Sequence, residues 1–368
     1  MTTGDALPAA IWERPHDDLP RLAYADWLDD QGNASRAEFI RVQCELARRQ
    51  ADEPPADDPS DAPRLVLATT AARLAKKHGM GWRTHLPARQ QRAKFHRGFP
   101  APGPTPYTTA QFRRLPPDAF DAALLWSVRL AGGAGGFANA TRHPEMAGVG
   151  ALDLSGSAAQ LASGLAGLRD STAAPNLTDL TLTGPGGSFG GLVDTVAGPS
   201  LPRLSALTVG LIEIAAGELA AMLAGRGRPL RSLNLSQCGL TDFALTVLAE
   251  SLRCDGLRAF TLLHCRDVTD AGVRSLAAAG WLAGVRMLEL GGLTLAGDAA
   301  AEALADSPHV GNVKYLSPGG SRVGVAGATA LARSDTLRRL HTLVLPRRAM
   351  PAYDLLRTRY GDSVHFER

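Results

Sequence analysis

Cysteine is scarce: Cys44, Cys238, Cys254 and Cys265 are the only four in 368 residues. So few and so scattered, they exclude a disulfide framework. No CxxC pair or paired histidine accompanies them, so no metal site is expected. No apolar run approaches the roughly 20 residues that span a bilayer. The N-terminus, Met1 to Pro20, carries charges and no apolar stretch of the kind a secretory signal needs. A reducing, cytoplasmic setting without membrane contact is therefore the expectation. Catalytic motifs are missing too: there is no GxSxG, no HExxH and no EF-hand loop. The glycine runs at 132–136 and 184–187 fit neither a phosphate-binding loop nor a dinucleotide fingerprint, and read as inter-element loops. No catalytic residue, no cofactor and no enzyme activity are expected.

Acidic residues are also missing from one long stretch. Residues 62–117 hold 11 Lys or Arg and no Asp or Glu, a balance of +11. The preceding segment, 1–61, holds 14 acids and six arginines, a balance of −8. The rest, 118–368, is neutral with 22 of each sign. Segregation of this kind points to docking between the two segments or to a charged partner.

What the chain has in abundance is a period. Apolar residues at i, i+3 and i+5, as in Leu230, Leu233 and Leu235, recur nine times. The middle positions are Val128, Leu152, Leu180, Leu207, Leu233, Phe260, Leu288, Leu316 and Leu343, at near-constant spacing. Leu233 and Leu235 flank polar Asn234, the period-2 signature of a strand with one buried face. Thr241-Asp242 then supplies capping residues for a helix over 243–252. Val268-Thr269-Asp270 and Leu295-Ala296-Gly297-Asp298 repeat that start. Ala249, Ala277, Ala305 and Ala332 share a register where small side chains let helix approach sheet. One strand and one helix cannot bury their own apolar faces, so the units must stack. Pro318 replaces the second strand leucine of the eighth unit and predicts a short or bulged strand.

These residues resemble the leucine-rich repeat of the 27-to-28-residue kind found in ribonuclease inhibitors. The resemblance covers about 125–368. It implies an α/β leucine-rich-repeat solenoid, a horseshoe with a parallel concave sheet and outer helices. Ahead of it, 18–30 reads as an amphipathic helix with Leu19, Leu22, Ala23 and Trp27 on one stripe. Ser35 and Glu38 form a capping box for a second helix to about Arg49, and 64–78 is helical. The runs Tyr24-Ala25-Asp26-Trp27-Leu28 and Arg36-Ala37-Glu38-Phe39-Ile40 are similar to the repeat-companion domain that precedes such arrays in bacteria. Phe95-His96-Arg97-Gly98-Phe99 resembles the approach such chains make to their first repeat. The expected organisation is a small α-helical domain over 1–50, an acidic Pro-rich linker over 51–63, a basic connecting or capping region over 64–124, and about nine repeats beyond.

The resemblance implies a non-enzymatic scaffold that holds a partner protein on the concave face. The candidate contacts are Arg129, Asp153, Thr181, Thr208, Asn234, Thr261, Glu289 and Tyr315, with His264 on a flanking loop. Short, mostly hydroxylic and nearly neutral, this row suits a protein surface rather than a polyanion. Nucleic acid is the alternative partner, through Arg83, Arg89, Arg92, Lys94, Arg97, Arg113 and Arg114, and an enzyme without a recognisable motif is the third reading. Trp82, Phe95, Phe99, Tyr107 and Phe112 lie among these cations, a mixture that single strands bind. Against it, the acidic segment is expected to dock on this stretch, with apolar help from Trp27 and Phe39. Cys238 and Cys265, equivalent in adjacent repeats, read as buried structural thiols.

Overall fold

The computed structural model describes residues 6–8, 10–11, 17–52, 62–84, 94–101, 105–115, 126–131, 136–184, 186–187, 191–224, 230–251, 256–319 and 322–366. Among them, eleven strands form one open, parallel sheet in strict chain order. Nine are the expected units: Trp126–Ala131, Val149–Ser155, Asp179–Thr183, Ala206–Gly210, Ser232–Ser236, Ala259–Leu263, Met287–Glu289, Tyr315–Ser317 and Thr342–Leu345. Their middle apolar residues face one another from Val128 through Leu233 to Leu343 without a slip in that row. A one-residue slip would turn every leucine toward solvent, so burial of this row holds the register. Each buried leucine is worth about 1.5–3 kcal/mol. The strand Tyr315–Ser317 stops just before Pro318 at three residues, short as expected, and its predecessor Met287–Glu289 is equally short.

Two further strands close the ends. Thr105–Thr108 pairs with Trp126–Ala131, and Val364–Phe366 pairs with Thr342–Leu345. The sheet thus begins inside the stretch expected to be a connecting region. Pro106 argues against a central strand but suits an edge, where no neighbour requires its missing N–H.

Helices follow the strands in turn: Ala158–Arg169, Leu192–Ala197, Ala216–Ala224, Asp242–Ser251, Asp270–Ala277, Asp298–Ala305 and Val325–Arg333. Each packs on its successor. Three share one buried template: Gly272, Val273, Leu276 and Ala277; then Ala300, Ala301, Leu304 and Ala305; then Gly327, Ala328, Leu331 and Ala332. The small first and last residues bring neighbouring helices together, and the leucine reaches into the core.

Ahead of the sheet lie helices Leu19–Asp30, Ala34–Asp52 and Ala62–His78. The first buries a different stripe from the expected one. Arg21, Ala25 and Leu28 face inward at i, i+4 and i+7, while Leu19 is 67% exposed. Hydropathy does not count an arginine as a buried residue, and the rotation follows from that. The second helix starts one residue before Ser35, with the Asn33 carbonyl accepting from the Arg36 and Ala37 amides. Ser35 therefore sits within the first turn rather than capping it. Among the described residues no helix is long and apolar enough to cross a membrane.

Candidate functional site

The face of the sheet opposite its buried apolar rows is the candidate site, since strand positions alternate between buried and half-buried. Arg129, Asp153, Thr181, Thr208, Asn234, Thr261, Glu289, Ser317 and Val344 line up there, each between two core residues. Arg129 is exposed and Asp153, Thr181, Thr208, Asn234, Glu289 and Val344 are half-buried. Thr261 and Ser317 are only 7% and 3% exposed, so flanking side chains hold them back from a partner. Short side-chain bonds fix the row. Arg129 Nε donates to Asp153 at 2.6 Å, and Ser155 donates to the same carboxylate at 2.8 Å. Ser236 donates to Asn234 Oδ1 at 2.7 Å, and the Thr261 hydroxyl meets Glu289 at 3.5 Å. Tyr315 lies one residue before the row and is half-buried. The result is a pre-ordered hydrogen-bonding surface with little bulk.

At the strand exits the backbone turns left-handed in four successive units, at Leu211, Gln237, His264 and Gly292. Each lies two residues beyond the second strand apolar residue. The amides of Leu211, Gln237 and His264 donate to Ser236, Leu263 and Gly291 of the next unit. The conformation therefore continues the ladder past the strands. The sequence held one signal for this register, Gly292, and nothing at the other three positions. His264 is exposed, and its ring lies over the backbone of Gly292. Beneath this turn Cys238 and Cys265 are buried free thiols. Cys238 Sγ donates to the carbonyls of Val209 and Ser236 at 3.2 and 3.4 Å. Burial pushes the Cys238 thiol up to about 12 and that of Cys265 upward as well, which keeps both protonated and unreactive.

Where described, the run at 184–187 is a loop, while Gly136 opens the helix Gly136–Thr141. Gly184 packs against Leu161, and the Gly186 amide donates to Leu211. Residues 132–135 lie outside the described residues.

The basic region has a different geometry from a nucleic-acid groove. Its aromatics are used internally. Phe39, Ala71 and Leu74 form a small core with Trp82 and Phe95 packed on it. Phe99 and Phe112 are 7% and 0% exposed. The guanidinium of Arg36 sits among these rings, 4.8 Å from the Trp82 centroid and 5.5–5.9 Å from Phe99, Phe95 and Phe39. Desolvation there pulls Arg36 down to about 10. Arg83 lies over Phe95 at 4.4 Å, and Arg97 pairs with Asp18. Lys94, Arg113 and Arg114 are exposed. Arg89 and Arg92 lie outside the described residues.

The acidic and basic segments do meet. Besides Arg97–Asp18, Arg73 reaches Glu38 at 3.6 Å. Phe39 supplies the apolar contact, whereas Trp27 stacks on Tyr24 at 5.6 Å. Arg97 and Gly98, both at positive φ, make a two-residue turn between strands Lys94–His96 and Phe99–Ala101. Such turns need φ above zero at both positions. A Cβ on Gly98 would stand 2.7 Å from Ile40 Cα, so only glycine lets the hairpin press on the second helix. No protein-family model matches this chain, and no curated protein matches it.

Proposed function

We propose that this chain is a leucine-rich-repeat solenoid that binds a partner protein across the concave face of its sheet and carries out no reaction. The observation that supports it most is the unbroken register of nine units, which lines up one residue per strand on this face, all but Thr261 and Ser317 of them exposed or half-buried. A rigid row needs no ordering on binding, so its hydrogen bonds contribute to affinity with little entropic loss. Transfer from fold to protein binding is by analogy with other solenoids. The helical region before the sheet acts as the cap that every solenoid end requires, in the manner of a bacterial repeat-companion domain. A cytoplasmic location fits the free thiols.

The test is capture of interacting proteins from host lysate by the intact chain and by an Arg129→Ala, Asn234→Ala, Glu289→Ala triple variant. The variant should keep its circular dichroism spectrum and lose the proteins that the parent retains. Equal capture by both would remove the concave face as the binding site.

A further inference from the structure

The hairpin Lys94–Ala101 stands apart from the large sheet. Among the described strands, Lys94–His96 and Phe99–Ala101 pair with each other and with no third strand. They share three rungs, and in one of them Phe95 faces Pro100, which has no amide to donate. A two-stranded ribbon is marginal in water by itself, so this one depends on the helices beneath it. Phe99 and Phe95 lie 5.5 and 5.7 Å from the Arg36 guanidinium, and Phe99 lies 5.9 Å from that of Arg21. Gly98 presses on Ile40, and Arg97 pairs with Asp18.

The floor under the hairpin is charged. Arg21 and Arg36 are only 7% and 8% exposed. Arg21 Nη1 donates to the Asp17 carbonyl at 2.9 Å, but Arg21 Nε and Arg36 Nη1 are sealed from solvent without a hydrogen-bond partner. No carboxylate offsets Arg36; burial is the main influence on its charge, and Tyr24 is the one group that opposes it. Arg97 lies close enough to Arg21 to repel it. Ring faces attract a cation, but an ion buried without a counter-ion loses more than ring contacts return. The balance shows in both arginines: desolvation holds Arg21 below the ordinary arginine value and brings Arg36 to about 10. The turn adds strain, because Arg97 carries a Cβ at φ +48°.

We propose that the hairpin Lys94–Ala101 is a clasp that opens as a unit from the helices Leu19–Asp30 and Ala34–Asp52 while the large sheet stays folded. Opening returns Arg21 and Arg36 to water and releases the turn at Arg97. It gives up the burial of Phe99 and the packing of Gly98 on Ile40, which keeps the closed form dominant. The first strand of the sheet, Thr105–Thr108, follows shortly after Ala101, so the clasp fastens or loosens the joint between the helical region and the sheet.

Amide hydrogen exchange of the intact chain tests this, read on peptides covering 34–46, 94–101 and 232–236 in urea below the unfolding range. Residues 94–101 should exchange at least about a hundredfold faster than 232–236, with little response to urea, because a local opening exposes little surface. Arg36→Met keeps the bulk, removes the buried ion, and should slow exchange at 94–101 at least threefold. Arg21→Met should act in the same direction. Asp18→Asn removes the ion pair to Arg97 and should quicken exchange severalfold. Should Arg36→Met unfold the chain, Arg21→Met and Asp18→Asn still carry the two opposite signs. Exchange at 94–101 that coincides with that of 34–46 or 232–236 at every urea concentration overturns the proposal. So does faster exchange at 94–101 in a methionine variant that keeps the parent's circular dichroism and urea midpoint, since the arginine would then fasten the hairpin.

Discussion

Left-handed backbone at Leu211, Gln237 and His264 is unusual for residues with a Cβ, which lose roughly 1–2 kcal/mol there relative to the right-handed region. They stay because each makes the rung bond that carries the ladder beyond the strand. Gly292, at φ +67°, takes the same conformation without that penalty, and a Cβ on it would stand 2.2 Å from His264 Nδ1. Gly292→Ala is therefore expected to destabilise the protein by about 1–3 kcal/mol, from backbone strain plus displacement of the histidine ring. Adding His264→Ala should return only part of that loss, because the strain remains. Urea titrations of the two variants and the parent measure both steps. Full recovery in the double variant would mean that ring contact alone set the penalty.

At the scale of elements, the helices are capped across units. Asp242 begins its own helix, but its carboxylate serves the next one. Thr269 N–H and Gly272 N–H donate to Oδ1 at 2.7 and 3.0 Å, and the Thr269 hydroxyl donates to Oδ2 at 2.6 Å. Asp270 accepts from Gly297 and Ala300, and Asp298 accepts from Gly324 and Gly327. The unpaired amides of each helix start are thus satisfied by the preceding unit, which also places negative charge at a helix N-terminus. At Gly272 and Gly327 a Cβ would fall within 2.8 Å of the carboxylate, whereas Ala300 makes the same bond with its Cβ in place. Asp270→Ala should destabilise the chain by about 1–2 kcal/mol. Amide exchange should quicken in Asp298–Ala305, the helix that loses its cap, more than in Asp270–Ala277, the helix that carries the substitution. The reverse order would show that the aspartate acts as an ordinary cap of its own helix.

Across the whole molecule one hydrophobic core runs from Ile11 to Val364 and includes Cys44, Cys238 and Cys265. Thiols in such a core couple global stability to alkali. Burial raises Cys44 and Cys238 to about 12 from the ordinary 9.0, and raises Cys265 as well. A folded value above the unfolded one adds stability that is complete below the unfolded value and lost as pH climbs toward the folded one. Stability is therefore expected to be insensitive to these thiols up to about pH 8.5. By pH 10 each of Cys44 and Cys238 should remove about 1.4 kcal/mol, one pK unit of differential binding. Urea midpoints at pH 7.5, 9 and 10 read this directly. Cys238→Ala should flatten the fall, and an equal fall in parent and variant would assign it to other groups.

The sequence by itself determined the period, the parallel strands and the identity of the buried row. Near-constant spacing of Leu, Val and Phe leaves a stacked α/β array as the arrangement that buries every apolar stripe. It also announced the three front helices and the short strand at Pro318. Tertiary structure decided what depends on contacts between units. Thr241-Asp242 reads locally as a cap, and only stacking shows that the aspartate serves the following helix. Nothing local marks Arg21 and Arg36 as buried; folding sets Arg36 among Trp82, Phe99, Phe95 and Phe39 and Arg21 against Phe99. The closing strands at Thr105 and Val364 carry no repeat signature; pairing with a neighbour makes them strands. The row from Arg129 to Val344 is scattered over eight successive repeat lengths of sequence. It becomes one surface because parallel strands bring equal registers within about 5 Å of each other.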